Sequence, residues 1–473
     1  MGHDKKLHTP FKFNSHWLDH EDLVILLKNT WKVYDENSEM SSASQFSANS
    51  KKIKNVSIFW SVKRKEQDTK DLVEIEILLE DTCTKLGFGY STDEDKATLC
   101  GLESRRRNIL LDRENEARQK SRAIWLLCGD DNIHFFHKLA NHRKFINSIW
   151  KIVDDRGNIV EGFEAIAGVG VHHFKTLFKE YDNLHLPEIL DIAENFPSDI
   201  SVSENLELMN PITLEEIQSI LSISKNDKSP GPDGLPMEVY RAFFDVLGSD
   251  LLRVIEDSRI SGKVPAIFNS TFIALILNID DPKSFDDFRP ISLCNFIYKI
   301  IGKIISTGIK KILGRIISKE QFGFFLGRQI HEAVGILQEG LHTIHVKGMK
   351  SVVLKIDLSE AYDCVNWTYL RLIMSKLGFL VPFITWVMSS ISTVSFVVFI
   401  NGVTSPFFRL GRGLRQGCPL APLLFLIVVE GMRRYIINAH HNGIFQGISF
   451  GNDIILSHIL FMDDIILVSN GSE

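Results

Sequence analysis

The sequence lacks the long apolar runs that would place it in a membrane. Its longest apolar stretch, Leu420 to Val429, contains a proline and ends at Glu430. That is well short of the roughly 18 residues that a spanning helix needs. The N-terminus has no apolar segment of the kind that secretory signals carry. We therefore expect a protein that has no membrane span, is not secreted, and acts in the cytoplasm or the nucleus, between which the sequence does not choose.

Paired cysteines and an overall excess of positive charge are also missing. The six cysteines are scattered and none forms a C-x-x-C pair, which indicates reduced thiols rather than a disulfide framework or a zinc site. The formal net charge is −6, so the chain as a whole has no basic footprint for nucleic acid. Only Arg289 to Arg328 differs, with eight Lys or Arg residues and a single acid. Any polyanion site must therefore be a local patch.

A chain of 473 residues exceeds the size of a single core, so we expect more than one compact unit. From Glu21 to about Asn158 the sequence is polar and helix-like, and the serine-rich stretch Ser38 to Ser50 predicts a linker or long loop. The turn-rich segment KNDKSPGPDGLP marks a boundary near 225–236. Within it, Asp233 is a candidate cap for the helix that follows.

The later part of the chain alternates strand, helix and hairpin patterns. FIALILNI and SVVLKID predict strands, DDFRPISLCN predicts a loop, and Phe296 to Leu313 predicts a helix whose isoleucines are buried. Asn401-Gly402 is a strong two-residue turn signal between two apolar strands. PLAPLLFLIVVEGMRRYII predicts a helix that starts near Pro419, and HILF and IILV predict a hairpin around MDD. The fold class expected from this layout is α+β.

Acidic residues stand out at two of these strand ends. Five Asp-Asp pairs occur, so such a pair alone means little, but Asp463-Asp464 lies between two apolar strands. Adjacent carboxylates at a buried hairpin tip repel each other unless a cation neutralises them. Asp357 ends another apolar strand, and bringing it beside the pair would make a carboxylate cluster suited to two magnesium ions. The alternative is that these acids are simply polar strand ends facing water.

Other residues near these acids suit nucleotide binding. Tyr362 is placed to wall the sugar of a nucleotide, where an aromatic ring would clash with a 2′-hydroxyl. Gln416 offers an amide for a base or sugar, and Gly417 permits close backbone approach. Arg289 can fork onto a triphosphate. These residues also have ordinary structural explanations. Tyr362 could be a buried tyrosine at the start of a helix, and Arg289 could be a surface arginine.

The helix over Phe296 to Leu313 also carries a basic stripe. Lys299, Lys303 and Lys310 fall on one side at 100° per residue, within the positive stretch of the chain. Together with Arg315 they are the candidate nucleic-acid-binding residues.

LKIDLSEAYDCVNW, GLRQGCPLAPLLFL and FMDD, with KSPGPDG and DFRPISLCN upstream, occur in the order seen in reverse transcriptases. The chain resembles the polyproteins of plant LINE-type non-LTR retrotransposons from about Pro10 to its end. The resemblance implies a right-hand polymerase fold in which residues 206–473 are fingers and palm, incomplete at the C-terminus and without a thumb. It further implies a mainly helical connector over 21–205, and residues 1–20 as a remnant of the C-terminal end of an endonuclease.

The same resemblance assigns roles to residues. It implies that Asp357, Asp463 and Asp464 bind two Mg²⁺ ions, with Mn²⁺ as a substitute. Tyr362 would exclude ribonucleotides, Gln416 would contact the nucleotide and template, and Arg289 would contact the triphosphate. Gly417, beside Gln416, is a further nucleotide-binding candidate. The implied partners are an RNA template, a DNA primer and a deoxynucleoside triphosphate.

The expected activity is RNA-directed DNA synthesis, in which a primer 3′-hydroxyl attacks the α-phosphate of a deoxynucleoside triphosphate and pyrophosphate is released. One departure is Asn278, which stands where the family usually has a lysine. An alternative hypothesis is therefore a catalytically inactive, nucleic-acid-binding remnant of a decayed element. A polymerase that makes RNA is a further alternative, which Tyr362 disfavours.

Overall fold

The computed structural model describes residues 10–87, 92–121, 133–179, 198–324, 327–358, 360–401, 403–444, 446–449 and 455–471. We number its helices and strands in chain order. The helices are α1 (Glu21–Thr30), α2 (Ser42–Gly87), α3 (Asp93–Ser121), α4 (Ile133–Ile146), α5 (Phe163–Leu177), α6 (Val202–Leu208), α7 (Leu214–Ile223), α8 (Met237–Ala242), α9 (Phe244–Ser261), α10 (Phe296–Ile316), α11 (Ile330–Val346), α12 (Trp367–Leu377), α13 (Val381–Ser392) and α14 (Ala421–His441). The strands are β1 (Lys151–Val153), β2 (Ile159–Glu161), β3 (Ser270–Leu277), β4 (Phe288–Cys294), β5 (Ser351–Asp357), β6 (Ser395–Ile400), β7 (Val403–Thr404), β8 (Phe408–Arg409), β9 (Ile448–Ser449), β10 (Ile455–Leu456), β11 (His458–Phe461) and β12 (Asp464–Asn470). The chain is therefore a mixed α+β protein with a helical N-terminal region, as its sequence predicts.

The N-terminal region is dominated by two long helices that pack side by side. Their contact is a small apolar cluster of Leu72, Ile75, Leu102 and Ile109. The first of these helices, α2, is 46 residues long and begins inside the segment that the sequence indicated as a linker. A helix this long is supported by packing along its apolar positions more than by intrinsic propensity.

The expectation of a loop over Ser38–Ser50 was wrong, because Ser42 to Ser50 form the first turns of α2. Ser42 is buried and its hydroxyl donates to the carboxylate of Asp257 in α9. Phe46 is 2% exposed and packs edge-on against Trp31 and Phe268. Tertiary packing therefore overrides the turn-like composition of this stretch.

One sheet has five strands, in the order β4-β3-β6-β7, with β8 also paired to β6. β3 is antiparallel to β4 and parallel to β6. The DDFRPISLCN segment, expected to be a loop, contains β4 instead. Its proline was the misleading signal, since β4 is at the edge of the sheet, where a residue without an N–H is tolerated.

Aromatic packing covers one face of this sheet. Phe178, which follows α5, stacks on Phe396 of β6 with ring centroids 5.8 Å apart. Phe396 in turn stacks on Phe408 of β8 at 6.2 Å. Asn401, in the turn after β6, bonds both the N–H and the C=O of Ile149. Residues 149–178 are thus joined to the sheet.

The second sheet has three antiparallel strands, in the order β11-β12-β5. SVVLKID, HILF and IILV form strands as their apolar patterns predict. β5 lies at the edge, and its residues Val352, Val353 and Leu354 are 58%, 42% and 51% exposed. This sheet is therefore less completely covered than the five-stranded one.

One of the hydrophobic clusters joins the first helices to the C-terminal half. It contains Leu23 and Leu27 of α1 together with Leu424 of α14 and Leu460 of β11. Phe13 is fully buried in it, and its N–H donates to Gly234 O at 2.9 Å. The described part of residues 1–20 thus packs on the rest of the chain, and the core is continuous across position 206. The functional division into 1–20, 21–205 and 206–473 stays a prediction.

Helix α10 crosses this core and covers the predicted Phe296 to Leu313. The isoleucines that we expected on its inner side are all buried: Ile300, Ile301, Ile304, Ile305 and Ile312. The cap predicted for Asp233 was wrong. Its Oδ1 accepts from Leu235 N within the turn, and the helix that follows begins at Met237 with Pro236 before it.

Within the described residues, no helix combines the length and the apolar character required to cross a membrane.

Candidate active site

The three acidic residues from two distant parts of the sequence meet at one end of the three-stranded sheet. Asp357, the last residue of β5, is paired directly with Asp464, the first residue of β12. Leu358 N donates to Asp463 O at 3.2 Å, which ties the acidic turn to the same strand end. Met462 adopts a left-handed conformation with φ of 58° at this turn.

The carboxylates do not all share one side of the sheet. Residues paired across antiparallel strands project to the same face, so Asp357 and Asp464 lie together. Lys355, two residues before Asp357, shares that face and places its Nζ 3.0 Å from Asp464 Oδ1. The hydrogen bond from Lys355 to Asp464 raises the pKa of this lysine. Asp463, in the turn, instead lines a neighbouring cleft.

Among the residues that the structure describes, no group of three Asp, Glu, His or Cys side chains already has an arrangement that would hold a metal ion. The backbone brings the three acids together, whereas their carboxylates still have separate surroundings. The assignment of Asp357, Asp463 and Asp464 as metal ligands therefore stays a prediction.

The cleft beside the acidic turn has a volume of about 620 Å³. Five of the residues singled out from the sequence line it, and they come from four separate segments: Arg289, Tyr362, Gln416, Gly417 and Asp463. The fold thus gathers the candidate nucleotide-binding residues around a single opening, with one of the three acids at its wall.

Tyr362 is half-buried at the side of this cleft. Its ring stacks on Phe425 of α14, with centroids 4.7 Å apart and planes at 22°. Burial, with the nearby charge of Asp463 as the second cause, raises the pKa of the phenol well above its ordinary value. The backbone C=O of Tyr362 accepts from Leu414 N at 2.7 Å. Stacking on Phe425 therefore holds the ring, the bond from Leu414 holds the backbone that carries it, and the phenol stays neutral.

Gln416 and Gly417 lie in the loop before α14, which is fastened to β4. Gln416 O accepts from Ser292 N at 2.9 Å. Gly417 has φ of +90°, a conformation that favours glycine, and is exposed toward the cleft. The helix after this loop begins at Ala421 with Pro422 in its first turn. The sequence suggested that the helix starts near Pro419, but the proline in its first turn is Pro422.

Asp363 is a residue at this site that sequence reasoning missed. It is 3% exposed, and its Oδ2 accepts from Gln416 Nε2 at 2.8 Å. Burial raises the pKa of this carboxyl to about 7, while the bond from Gln416 acts in the opposite direction. Its position next to Tyr362 was a signal, but the loop that buries it lies some fifty residues further along the chain. The pair fixes the orientation of the Gln416 amide.

Arg415 was missed as well, because a single arginine in a glycine-rich loop resembles a surface residue. It is 5% exposed and lies over the Tyr298 ring, 3.5 Å from the centroid. Its guanidinium donates to Thr271 Oγ1 of β3 and to Ser390 O in the last turn of α13. This buried arginine joins the loop that carries Gln416 to the five-stranded sheet.

Arg289 is exposed on β4, opposite Ile276 of β3. Asn278, which stands where the resemblance implied a lysine, lines the same cleft, and its N–H donates to Asp287 O at 2.9 Å. Lys283 is exposed in the turn between β3 and β4 but is not part of the cleft wall. The cleft therefore has Arg289 as a cation that faces it from the five-stranded sheet.

The basic residues of α10 are not equivalent. Lys299 is half-buried, and its Nζ donates to Ser229 O in the turn-rich segment, whereas Lys310 is exposed. Lys303 is half-buried between them. Arg315 is committed to the Glu204 carboxylate at 2.9 Å and to Asp199 O at 2.7 Å. A role for these four residues in nucleic-acid binding stays a prediction.

Comparison with known proteins bears directly on this arrangement. The family model described as reverse transcriptase (RNA-dependent DNA polymerase) matches residues 280–473, which include β4, β5, the Gln416 loop and the acidic turn. This part of the chain is a reverse transcriptase domain.

Relatives of this reverse transcriptase domain occur in mobile elements. The chain is 28% identical over 344 residues to the transposon TX1 uncharacterized 149 kDa protein of Xenopus laevis, covering 72% of this chain and 26% of that protein. It is 28% identical to the RNA-directed DNA polymerase from mobile element jockey of Drosophila funebris, over 47% of this chain and 25% of the relative. The Pol polyprotein from the type-2 retrotransposable element R2DM of Drosophila melanogaster is 24% identical, over 54% of this chain and 24% of the relative.

The chain thus spans about a quarter of the length of these curated relatives. The reverse transcriptase domain is of the kind found in non-LTR retrotransposons, and its motif-bearing segments are those that surround the cleft.

Proposed function

We propose that the chain is a reverse transcriptase fragment from a LINE-type element of the plant kind, and that it transfers a deoxynucleotide to a primer under the direction of an RNA template. The five-stranded sheet with its helices would serve as fingers, and the three-stranded sheet with α12 and α14 as palm. The observation that carries this proposal is the pairing of Asp357 with Asp464, beside Asp463 at the cleft. Such a meeting of acids is what nucleotidyl transfer requires.

The residues at the sheet end fit a pair of hard divalent ions. Their donors are carboxylate oxygens, which Mg²⁺ prefers. Binding at Asp464 would require that the Lys355 ammonium, 3.0 Å from Oδ1, give way to the ion. Asp357, Asp463 and Asp464 would hold Mg²⁺, or Mn²⁺ in its place. When bound, two such ions supply charge stabilisation to the attacking and leaving oxygens.

The chain's own side chains would bind and orient the nucleotide. Arg289 would contact the triphosphate from the five-stranded sheet, where its fork suits phosphate oxygens. The Tyr362 ring, held by Phe425, would pack against the sugar and exclude a 2′-hydroxyl. Gln416, oriented by Asp363, would contact the nucleotide and template together with Gly417.

The nucleic acid would consist of an RNA template and a DNA primer. Lys299, Lys303, Lys310 and Arg315 are the proposed contacts to its phosphates, which makes binding depend on salt. For Arg315 this requires that the ion pair with Glu204 be exchanged for a phosphate. We place this activity inside the cell.

Primer extension on an RNA template with labelled deoxynucleotides and Mg²⁺ tests the proposal. We expect extension by the wild-type chain and a loss of at least about 100-fold for Asp463→Asn, since charge neutralisation at the reacting phosphate is removed. The matched control is Asp281→Asn, which alters an exposed member of another Asp-Asp pair and should retain wild-type extension. Equal extension by wild type and Asp463→Asn would contradict the site. RNA binding without any incorporation under Mg²⁺ or Mn²⁺ would contradict the activity.

A further inference from the structure

A short segment outside the three-stranded sheet continues it beyond β11. Gln321 forms a parallel bridge with Leu460. Leu460 N donates to Glu320 O at 2.9 Å, and Phe322 N donates to Leu460 O at 3.0 Å. Residues 320–322 thus lie beside the strand that leads directly into the acidic turn.

The Gln321 side chain reaches from this segment to the turn itself. It is 1% exposed. Its Oε1 accepts from Gly323 N at 2.9 Å and from Met462 N at 3.3 Å. One carbonyl oxygen therefore holds two backbone N–H groups that belong to different segments. A buried N–H without such an acceptor is costly.

The turn that receives this bond has an unfavourable backbone conformation. Met462 has φ of 58°, which residues with side chains rarely adopt. The next residue is Asp463, at the wall of the cleft. The direction of the Asp463 carboxylate depends on the conformation of Met462, because the two share a peptide unit.

Gly323 adds a steric component to the same contact. A Cβ at this position would lie 2.9 Å from Met462 N and 2.7 Å from Met462 Cγ. The segment therefore approaches the turn as closely as a glycine allows, and it supports Met462 from one side.

We propose that Gln321 is a positioning residue for the acidic turn, which holds Met462 in its left-handed conformation and thereby aims Asp463 into the cleft. Gln321 does not itself line the cleft, so it acts through the turn. The proposal concerns the proposed nucleotidyl-transfer site and rests on it for its catalytic consequence. Its structural consequence is independent of that function.

The decisive variant is Gln321→Met, which keeps the length and approximate shape of the side chain but removes the acceptor. Asn205→Leu is the matched control. Asn205 is also a buried amide that accepts a backbone N–H, that of Leu380 at 3.0 Å, and it is not part of the cleft wall. Both variants lose one buried amide, but only the first one touches the acidic turn.

Amide hydrogen exchange measures the structural part. In Gln321→Met we expect the Met462 and Gly323 amides to exchange about tenfold faster or more, since their acceptor is lost. In Asn205→Leu these two amides should keep their wild-type rates, while the Leu380 amide exchanges faster. Unchanged exchange at Met462 in Gln321→Met would overturn the proposal.

Single-nucleotide incorporation measures the catalytic part. We expect kcat to fall about tenfold or more in Gln321→Met, with a KM for the nucleotide close to wild type, because the turn acts on the reacting group and not on ground-state binding. Asn205→Leu should keep kcat within about twofold. A kcat equal in the two variants would overturn the role of Gln321. If the wild-type chain incorporates nothing, the proposed function fails, and hydrogen exchange alone then decides whether Gln321 holds the turn.

Gly323→Ala is a second variant that leaves the Gln321 amide intact. The added methyl group must displace Met462, so we expect a lower kcat here as well, again with little change in KM. A wild-type kcat in Gly323→Ala would contradict the claim that the position of Met462 matters.

Discussion

The two main sheets of the molecule differ in how completely they are covered. In the five-stranded sheet, Phe396, Val397, Val398 and Ile400 of β6 are at most 1% exposed. In the three-stranded sheet, Val352, Val353 and Leu354 of β5 are between 42% and 58% exposed. Yet the three acids lie at the end of this second, more open sheet.

The buried sheet is expected to contribute to stability, whereas the open sheet carries the residues of the proposed chemistry. Apolar side chains that are removed from water contribute free energy of folding in proportion to the area buried. β6 has this contribution, whereas much of β5 does not. An open sheet end leaves its carboxylates accessible, which a site for phosphate chemistry needs. We therefore expect substitutions in β6 to affect unfolding and those near the acidic turn to affect activity.

The largest expected effect on stability is that of Phe396→Ala. This ring stacks on Phe178 and Phe408, so its loss leaves a cavity and should cost about 3–5 kcal/mol of unfolding free energy. Val353→Ala on β5 is the matched control and should cost less than about 1 kcal/mol, because its side chain is 42% exposed. Denaturant unfolding measures both. Equal losses would remove the distinction between the sheets.

The stability of the folded chain should depend on pH because of Asp363, which lies at the cleft. Its pKa is raised from 3.8 to about 7 in the folded chain, chiefly by burial. The folded state therefore retains a proton that the unfolded state releases above pH 4, so stability is full below that pH and falls as pH rises toward 7. The loss is about 4 kcal/mol at most, since each pKa unit corresponds to about 1.4 kcal/mol.

Asp363→Asn keeps an acceptor for Gln416 but cannot ionise. The difference in unfolding free energy between variant and wild type should therefore grow in favour of the variant between pH 4 and pH 7. Denaturant unfolding at several pH values measures this difference. A difference that stays constant over the range would show that Asp363 is ionised without penalty in the folded chain.

A smaller effect is expected from substitutions of Tyr362, and it concerns the choice between ribonucleotides and deoxynucleotides. Tyr362→Val removes the ring that would meet a 2′-hydroxyl, so ribonucleotide use relative to deoxynucleotide use should rise about 10- to 100-fold. Tyr362→Phe keeps the ring and its stacking on Phe425 and should leave the ratio near wild type. Competitive incorporation by the two variants measures the ratio. A similar ratio for valine and phenylalanine would contradict a steric role.

Sequence patterns predicted the elements whose signals are local. The apolar runs on either side of MDD, the turn signal between β6 and β7 and the isoleucine face of α10 all specify structure within a few residues. The wrong predictions have non-local causes. β4 contains a proline that only an edge position tolerates, and the start of α2 is fixed by Phe46 packing on Phe268.

The same distinction applies to the site. The acids at strand ends were visible in the sequence because buried strands have little reason to end in adjacent carboxylates. Asp363 and Arg415 were not, because what buries them comes from distant segments, as when Arg415 donates to Thr271 and Ser390. Nor did spacing indicate that Lys355 would pair with Asp464, since that contact requires the register of β5 on β12.

The central claim is that Asp357 and the acidic turn, brought together by the pairing of β5 with β12, act as one site. Single-nucleotide incorporation by Asp357→Asn tests it most directly, with Asp281→Asn as the control for loss of an exposed carboxylate. We predict that Asp357→Asn lowers the rate of nucleotide incorporation by at least about 100-fold, the same effect that we predict for Asp463→Asn. The control should retain the wild-type rate. Wild-type incorporation by Asp357→Asn would contradict the claim.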